Sequence, residues 1–110
     1  MRSLMLIAVL ALLTAVVSAA RQIIVGPGPT FSPEQVTVKV GEAVDFVWQG
    51  TVPHDVVEGR DCSPRQGGFR TDLRAEGANY SLMFTQTGER YYYCTPHCAG
   101  GMVGVINVVA

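Results

Sequence analysis

Between residues 94 and 102 the chain reads Cys94-Thr95-Pro96-His97-Cys98-Ala99-Gly100-Gly101-Met102. A thiol, an imidazole and a thioether therefore share one short loop. Soft sulfur combined with imidazole nitrogen suits copper. Two histidines and a cysteine in a trigonal set, with a weak axial methionine, form a copper electron-transfer site. Such a set needs a second histidine. The chain has two in all, and the other is His54, in Thr51-Val52-Pro53-His54-Asp55-Val56-Val57. The candidate metal ligands are His54, Cys94, His97 and Met102, for one copper per chain. Singly, each has a plainer reading: His54 as a satisfied surface side chain, Met102 as core filler, Cys94 as half of a disulfide. Their convergence at loop spacing suited to one ion favours the metal. The three cysteines, Cys62, Cys94 and Cys98, allow one pair and leave one over.

A ligand loop of this kind needs strands to hold it, and the apolar period after residue 20 is two. Val36, Val38 and Val40 alternate with Thr37 and Lys39, and Val44, Phe46 and Trp48 alternate with Asp45, Val47 and Gln49. Tyr80, Leu82 and Phe84 alternate with Ser81, Met83 and Thr85. Gly41-Glu42 and Thr87-Gly88-Glu89 mark turns, Tyr91-Tyr92-Tyr93 leads into Cys94, and a β-branched run closes the chain at Val103–Val109. Half-buried strands at regular spacing predict an all-β, single-domain β-sandwich. Gln22–Val25 is expected as an edge strand, closed by Gly26-Pro27-Gly28-Pro29. Residues 58–79 are expected as a long surface loop. There Arg60, Arg65, Arg70 and Arg74 interleave with Glu58, Asp61, Asp72 and Glu76 as a solvated face. No helix is expected beyond a turn near 72–76. His54 starts a strand after a loop, which allows it to lie at the sandwich end beside residues 94–102. Trp48 and the tyrosines 91–93 read as core packing.

The chain has 110 residues, 48% of them hydrophobic, and a formal net charge of −1. Arg2, the apolar run Leu4 to Leu13 extended by Thr14-Ala15-Val16-Val17, and the small residues Ser18-Ala19-Ala20 read as an export signal. The expected organisation is a signal peptide over 1–20 and one domain over 21–110, in a periplasmic or extracellular protein. An uncleaved membrane anchor is the plainer alternative, although a spanning helix needs about 20 apolar residues. A domain this small buries only about 60–65% of its unfolded surface, so a cross-link or a metal is expected to add to its stability. Near-neutral charge without a basic cluster argues against a nucleic-acid partner.

Cys-x2-His-x4-Met after a Tyr-rich strand, with His54-x-Val56 upstream, resembles the cupredoxin (blue copper) family, and the loop spacing looks plastocyanin-like. The run Phe31-Ser32-Pro33-Glu34-Gln35-Val36-Thr37-Val38, with Gly41, Val44, Phe46 and Trp48, is similar to the family's early strands. The resemblance covers residues 22–109. It implies a cupredoxin-like Greek-key sandwich, with His54, Cys94 and His97 as equatorial copper ligands and Met102 as the axial one. It also implies one-electron transfer between Cu(II) and Cu(I), without an organic cofactor. The expected protein is a monomeric electron carrier, not an enzyme, with no small-molecule substrate. Pro96, Ala99, Gly100 and Gly101 surround His97 with small, apolar surface, so redox partner proteins are expected to dock there. Cys98 after His97, with Cys62 upstream, resembles the cysteine pair of the phytocyanins, whose ligand loop is longer. With Cys94 as copper thiolate, Cys62 and Cys98 are predicted to form a disulfide. Asp55 stands where many family members carry Asn.

Other readings stay open at this point. Cys94-x3-Cys98 has the cysteine spacing of a dinuclear CuA centre, but Met102 stands where that centre needs a histidine. A copper chaperone or store would favour exposed Met- or His-rich sets, and after residue 20 the chain has only Met83 and Met102. A multicopper oxidase needs more histidines than two. A monooxygenase using an N-terminal histidine is excluded if cleavage exposes Arg21.

Overall fold

The computed structural model describes residues 20–110, so the expected leader lies outside the described residues but for Ala20. Nine strands follow in order: β1 (Arg21–Val25), β2 (Phe31–Ser32), β3 (Gln35–Lys39), β4 (Ala43–Trp48), β5 (Val57–Arg60), β6 (Ser63–Pro64), β7 (Asn79–Met83), β8 (Gly88–Tyr93) and β9 (Val103–Val109). They form two sheets, in the orders β2-β1-β4-β7 and β3-β9-β8-β5-β6. β1 runs parallel to β4, and β3 parallel to β9. The alternation read from the sequence decides which side chains face inward. Val36 and Val38 of β3, Val44, Phe46 and Trp48 of β4, and Ile106 and Val108 of β9 are all buried between the sheets. Each such aliphatic or aromatic side chain contributes roughly 1.5–3 kcal/mol on burial. Tyr92 fills the centre, edge-on to Phe31 and Phe46 at centroid distances of 4.8 and 5.3 Å. Gly104 lies opposite Tyr92 across the β8–β9 ladder, where a Cβ would run into the tyrosine ring.

Four expectations change. β1 is not an edge strand: after the turn closed by Gly26 N–H to Thr30 O (3.0 Å), Phe31–Ser32 folds back and covers its outer side. Residues 58–79 are not one surface loop. Val57–Arg60 pairs with β8 on one side and with Ser63–Pro64 on the other. Val57, Glu58 and Gly59 are all buried, so no period of two marks them. The charged face is also not wholly solvated, because the Glu58 carboxylate is buried. It takes Arg65 at 3.0 Å, Arg90 at 3.4 Å and the Phe69 N–H at 3.3 Å. A carboxylate survives such burial only when paired and hydrogen-bonded. Finally, residues Thr95–Gly100 form a 3₁₀ helix that the sequence pattern did not suggest. Cys62 and Cys98 are joined by a disulfide, as predicted from counting.

Candidate metal centre

β8 and β9 are antiparallel neighbours with Tyr93 opposite Val103, so the loop between them starts and ends side by side. Cys94 N–H donates to Met102 O at 3.1 Å, and Met102 N–H donates to His97 O at 3.2 Å. These bonds close the loop. Within it Pro96, whose ring fixes φ, opens the 3₁₀ helix, and Gly101 ends it at φ 99°, in the left-handed region. The helix holds His97 half-exposed at the sandwich end while the disulfide anchors Cys98 beneath it. Cys94 and Met102 are buried in the central core, with Met102 1% exposed.

His54 comes from elsewhere in the chain, and its backbone is tied on several sides. The segment 69–74 runs antiparallel to 54–58. Glu58 N–H bonds Phe69 O (2.8 Å), Thr71 N–H bonds Val56 O (2.9 Å), and His54 and Arg74 exchange both backbone bonds at 2.9 Å. The register slips between these pairs. There the buried Thr71 hydroxyl takes the Val56 N–H at 3.1 Å and donates to Asp72 O at 2.8 Å. Trp48 donates its indole N–H to His54 O at 2.9 Å, so it fixes the candidate ligand besides packing the core. Gly26, at φ 85°, lies behind the His54 ring, where a Cβ would strike Gln49 O. Reading the sequence found the four candidate residues but missed these supports. An alternating Phe69-x-Thr71-x-Leu73 run was the only available signal, and its glycine-rich flank obscured it.

The structure brings three of the four candidate donors onto one point. His54 Nδ1 and His97 Nδ1 are 3.1 Å apart, and Cys94 Sγ is 3.6 and 3.4 Å from them. The circle through these three atoms has a radius of about 2.0 Å, a metal–imidazole bond length and slightly short for a thiolate. Two imidazole nitrogens and a sulfur facing one another present mostly lone pairs, and a cation between them satisfies all three. Burial first, and then the neighbouring His97, lowers the His54 pKa, keeping the ring in the neutral form that ligates. Burial pushes the Cys94 thiol up to about 11, so without a cation it stays protonated. Binding a metal through this sulfur would release its proton. Met102 is fixed at the loop's end by its backbone bonds with Cys94 and His97. The donor chemistry fits copper: two nitrogens, one thiol and a nearby buried thioether. Cys98 is not available as a second thiolate, since it is bonded to Cys62, and this removes the dinuclear reading.

Asp55 is 6% exposed and accepts the Thr95 N–H at 2.6 Å, linking the His54 segment to the Cys94 loop. Asp55→Asn keeps an acceptor oxygen and removes a negative charge beside the sulfur. The oxidised metal then loses more stabilisation than the reduced one. The reduction potential is expected to rise, on the order of tens of millivolts for a charge in a partly screened site. Voltammetry of the two copper-loaded proteins checks this, and an unchanged or lower potential contradicts it.

Residues 26–109 match the family of copper binding proteins described as plastocyanin/azurin. The chain is 41% identical over 85 residues to the chloroplastic plastocyanin of Chlamydomonas reinhardtii, covering 71% of this chain and 57% of that protein. It is 36% identical over 83 residues to the plastocyanin of Scenedesmus fuscus, covering 71% of this chain and 85% of that protein. The chain thus spans 57% of the length of the plastocyanins from Chlamydomonas reinhardtii and Tetradesmus obliquus. Among solved structures, a purple cupredoxin from Nitrosopumilus maritimus superposes with a TM-score of 0.72 at 25% identity, covering 81% of this chain and 99% of that one.

Proposed function

This chain belongs to the plastocyanin/azurin family of copper-binding proteins, and from that premise we propose that it is an exported electron carrier serving redox partner proteins. It is a cupredoxin that holds one copper. In this reading His54, Cys94, His97 and Met102 would hold the copper. Residues 21–110 are the copper domain and residues 1–20 the export leader. Copper supplies a one-electron couple between Cu(II) and Cu(I). The protein's part is to hold the donors still. Loop closure, the 3₁₀ helix, the disulfide and the His54 backbone bonds all oppose movement of the ligands when charge changes. The observation that carries the reading is the convergence of three donor atoms with only His97 partly exposed. His54, Cys94 and Met102 are at most 1% exposed, which suits passage of an electron through one imidazole edge. It suits a metal chaperone poorly, because a chaperone must hand its ion to another protein's ligands.

Pro96, Ala99, Gly100 and Gly101 are exposed around His97 and bring no long side chain that would keep a partner away. We place docking over that end. Ala99→Asp puts a charge there without touching a ligand. Electron self-exchange, in which two copies meet by this face, is expected to slow roughly tenfold at low ionic strength and to recover with salt. The copper absorption should stay the same. NMR line broadening in mixed Cu(I)/Cu(II) samples measures the rate, and an unchanged rate moves docking to another face.

A further inference from the structure

We propose that Arg74 is a positioning residue that holds the His54 imidazole on the metal; this rests on the reading that His54 is a copper ligand. The sequence placed Arg74 in a solvated charged loop, but its surroundings are of another kind. Its backbone N–H and C=O make both bonds to His54, each 2.9 Å. Its side chain locks that backbone in place. Nε donates to Asp72 Oδ1 at 2.7 Å, Nη1 donates to Asn79 O at 3.1 Å, and the guanidinium lies 5.8 Å from the ring centroids of both Trp48 and Tyr80. Trp48 in turn donates to His54 O. The histidine carbonyl thus receives the Arg74 backbone from one side and the indole under the Arg74 guanidinium from another. Beyond Arg74, two backbone bonds tie the stretch to the end of β4 and the residues after it, Glu76 N–H to Gly50 O at 2.9 Å and Trp48 N–H to Ala78 O at 3.0 Å, and neither reaches residues 72–74. After the slip in register at Thr71, Leu73 is 55% exposed, and residues 75–78 lie in a turn. The guanidinium fork spans from Asp72 to Asn79 and closes the stretch over the His54 segment. A lysine has the charge but not the planar fork, so it takes one of the two acceptors and not both.

A partner that orients a metal-ligating histidine changes metal retention before it changes folding. The test follows copper loss to excess chelator from the copper-loaded protein and its Arg74→Ala and Arg74→Lys variants. Paramagnetic resonance of each Cu(II) form and melting of each copper-free form are recorded alongside. Arg74→Ala is expected to lose copper about tenfold faster and to change the copper hyperfine splitting, with Arg74→Lys intermediate. Melting of the copper-free Arg74→Lys protein should move little. If Arg74→Ala fails to fold, Arg74→Lys alone decides. The same Arg74 substitutions are then made in His54→Gly, with free imidazole supplied to the site. Because free imidazole has no backbone to hold, they should no longer speed copper loss there. Equal acceleration in both backgrounds, or none in either, overturns the proposal. If instead His54→Gly without imidazole keeps the parent copper spectrum, it is the assignment of His54 as ligand that has failed.

Discussion

Cys94→Ser is expected to abolish the intense visible absorption of the copper-loaded protein. That band requires a thiolate bound to Cu(II), and Cys94 is the one cysteine left free among the described residues. Its sulfur sits 3.6 and 3.4 Å from the two Nδ1 atoms, within the only cluster of three donors found among the described residues. A serine hydroxyl fits the space but is a harder, far less polarisable donor that does not ionise there at neutral pH. Copper affinity should fall with it, since the thiolate carries the site's only anionic ligand charge. The other two sulfurs cannot substitute, because Cys62 and Cys98 are bonded to each other. Absorption spectra of the copper-treated variant and parent check this. A variant that stays blue would put the thiolate outside the 94–102 loop and refute the site.

Removing the disulfide should have the largest effect on stability. The bridge joins residues 36 apart in sequence. Constraining a loop of that length in the unfolded chain stabilises the fold by about 3.8 kcal/mol in the chain-entropy model. Domains of this size have net stabilities of about 5–15 kcal/mol, so the bond is a large share of the total. Cys98 is 7% exposed and packs with Val57 and Tyr93, so an alanine there adds a small packing loss. Denaturant unfolding of a Cys62→Ala, Cys98→Ala protein is expected to show a loss of about 3–4 kcal/mol, and melting should fall by on the order of 15–30 °C. A loss under about 1 kcal/mol would mean that the unfolded chain is already constrained there. The same variant should hold copper less firmly, because residue 98 follows a candidate ligand directly.

Much of this architecture was legible in the sequence, for reasons that can be named. Val36, Val38, Val44, Phe46 and Trp48 sit on strands with one wet face, so burial imposes a period of two that survives in the sequence. The candidate metal loop stood out because its thiol, imidazole and thioether are rare residue types crowded between two strand ends. What stayed hidden lacks either signal. Val57–Arg60 is covered on both faces, and two of its four residues are Glu58 and Gly59, which read as loop. Glu58 goes inside only because Arg65 and Arg90 meet it from distant positions. The support of His54 by Arg74, Thr71 and Trp48 depends on a slipped backbone pairing that no spacing announces. β2 is two residues long, too short for any alternation to show, so β1 looked like an edge.

We propose that two nitrogens, one thiolate and a thioether of this chain hold a single copper. Titration of the metal-free protein, residues 21–110, with Cu(II) while recording the visible spectrum tests it most directly. The donor set predicts an intense thiolate-to-copper band in the visible region that grows linearly and stops at one copper per chain, then bleaches on addition of one electron per copper. A colourless product, or a band still growing toward two coppers per chain, would contradict it.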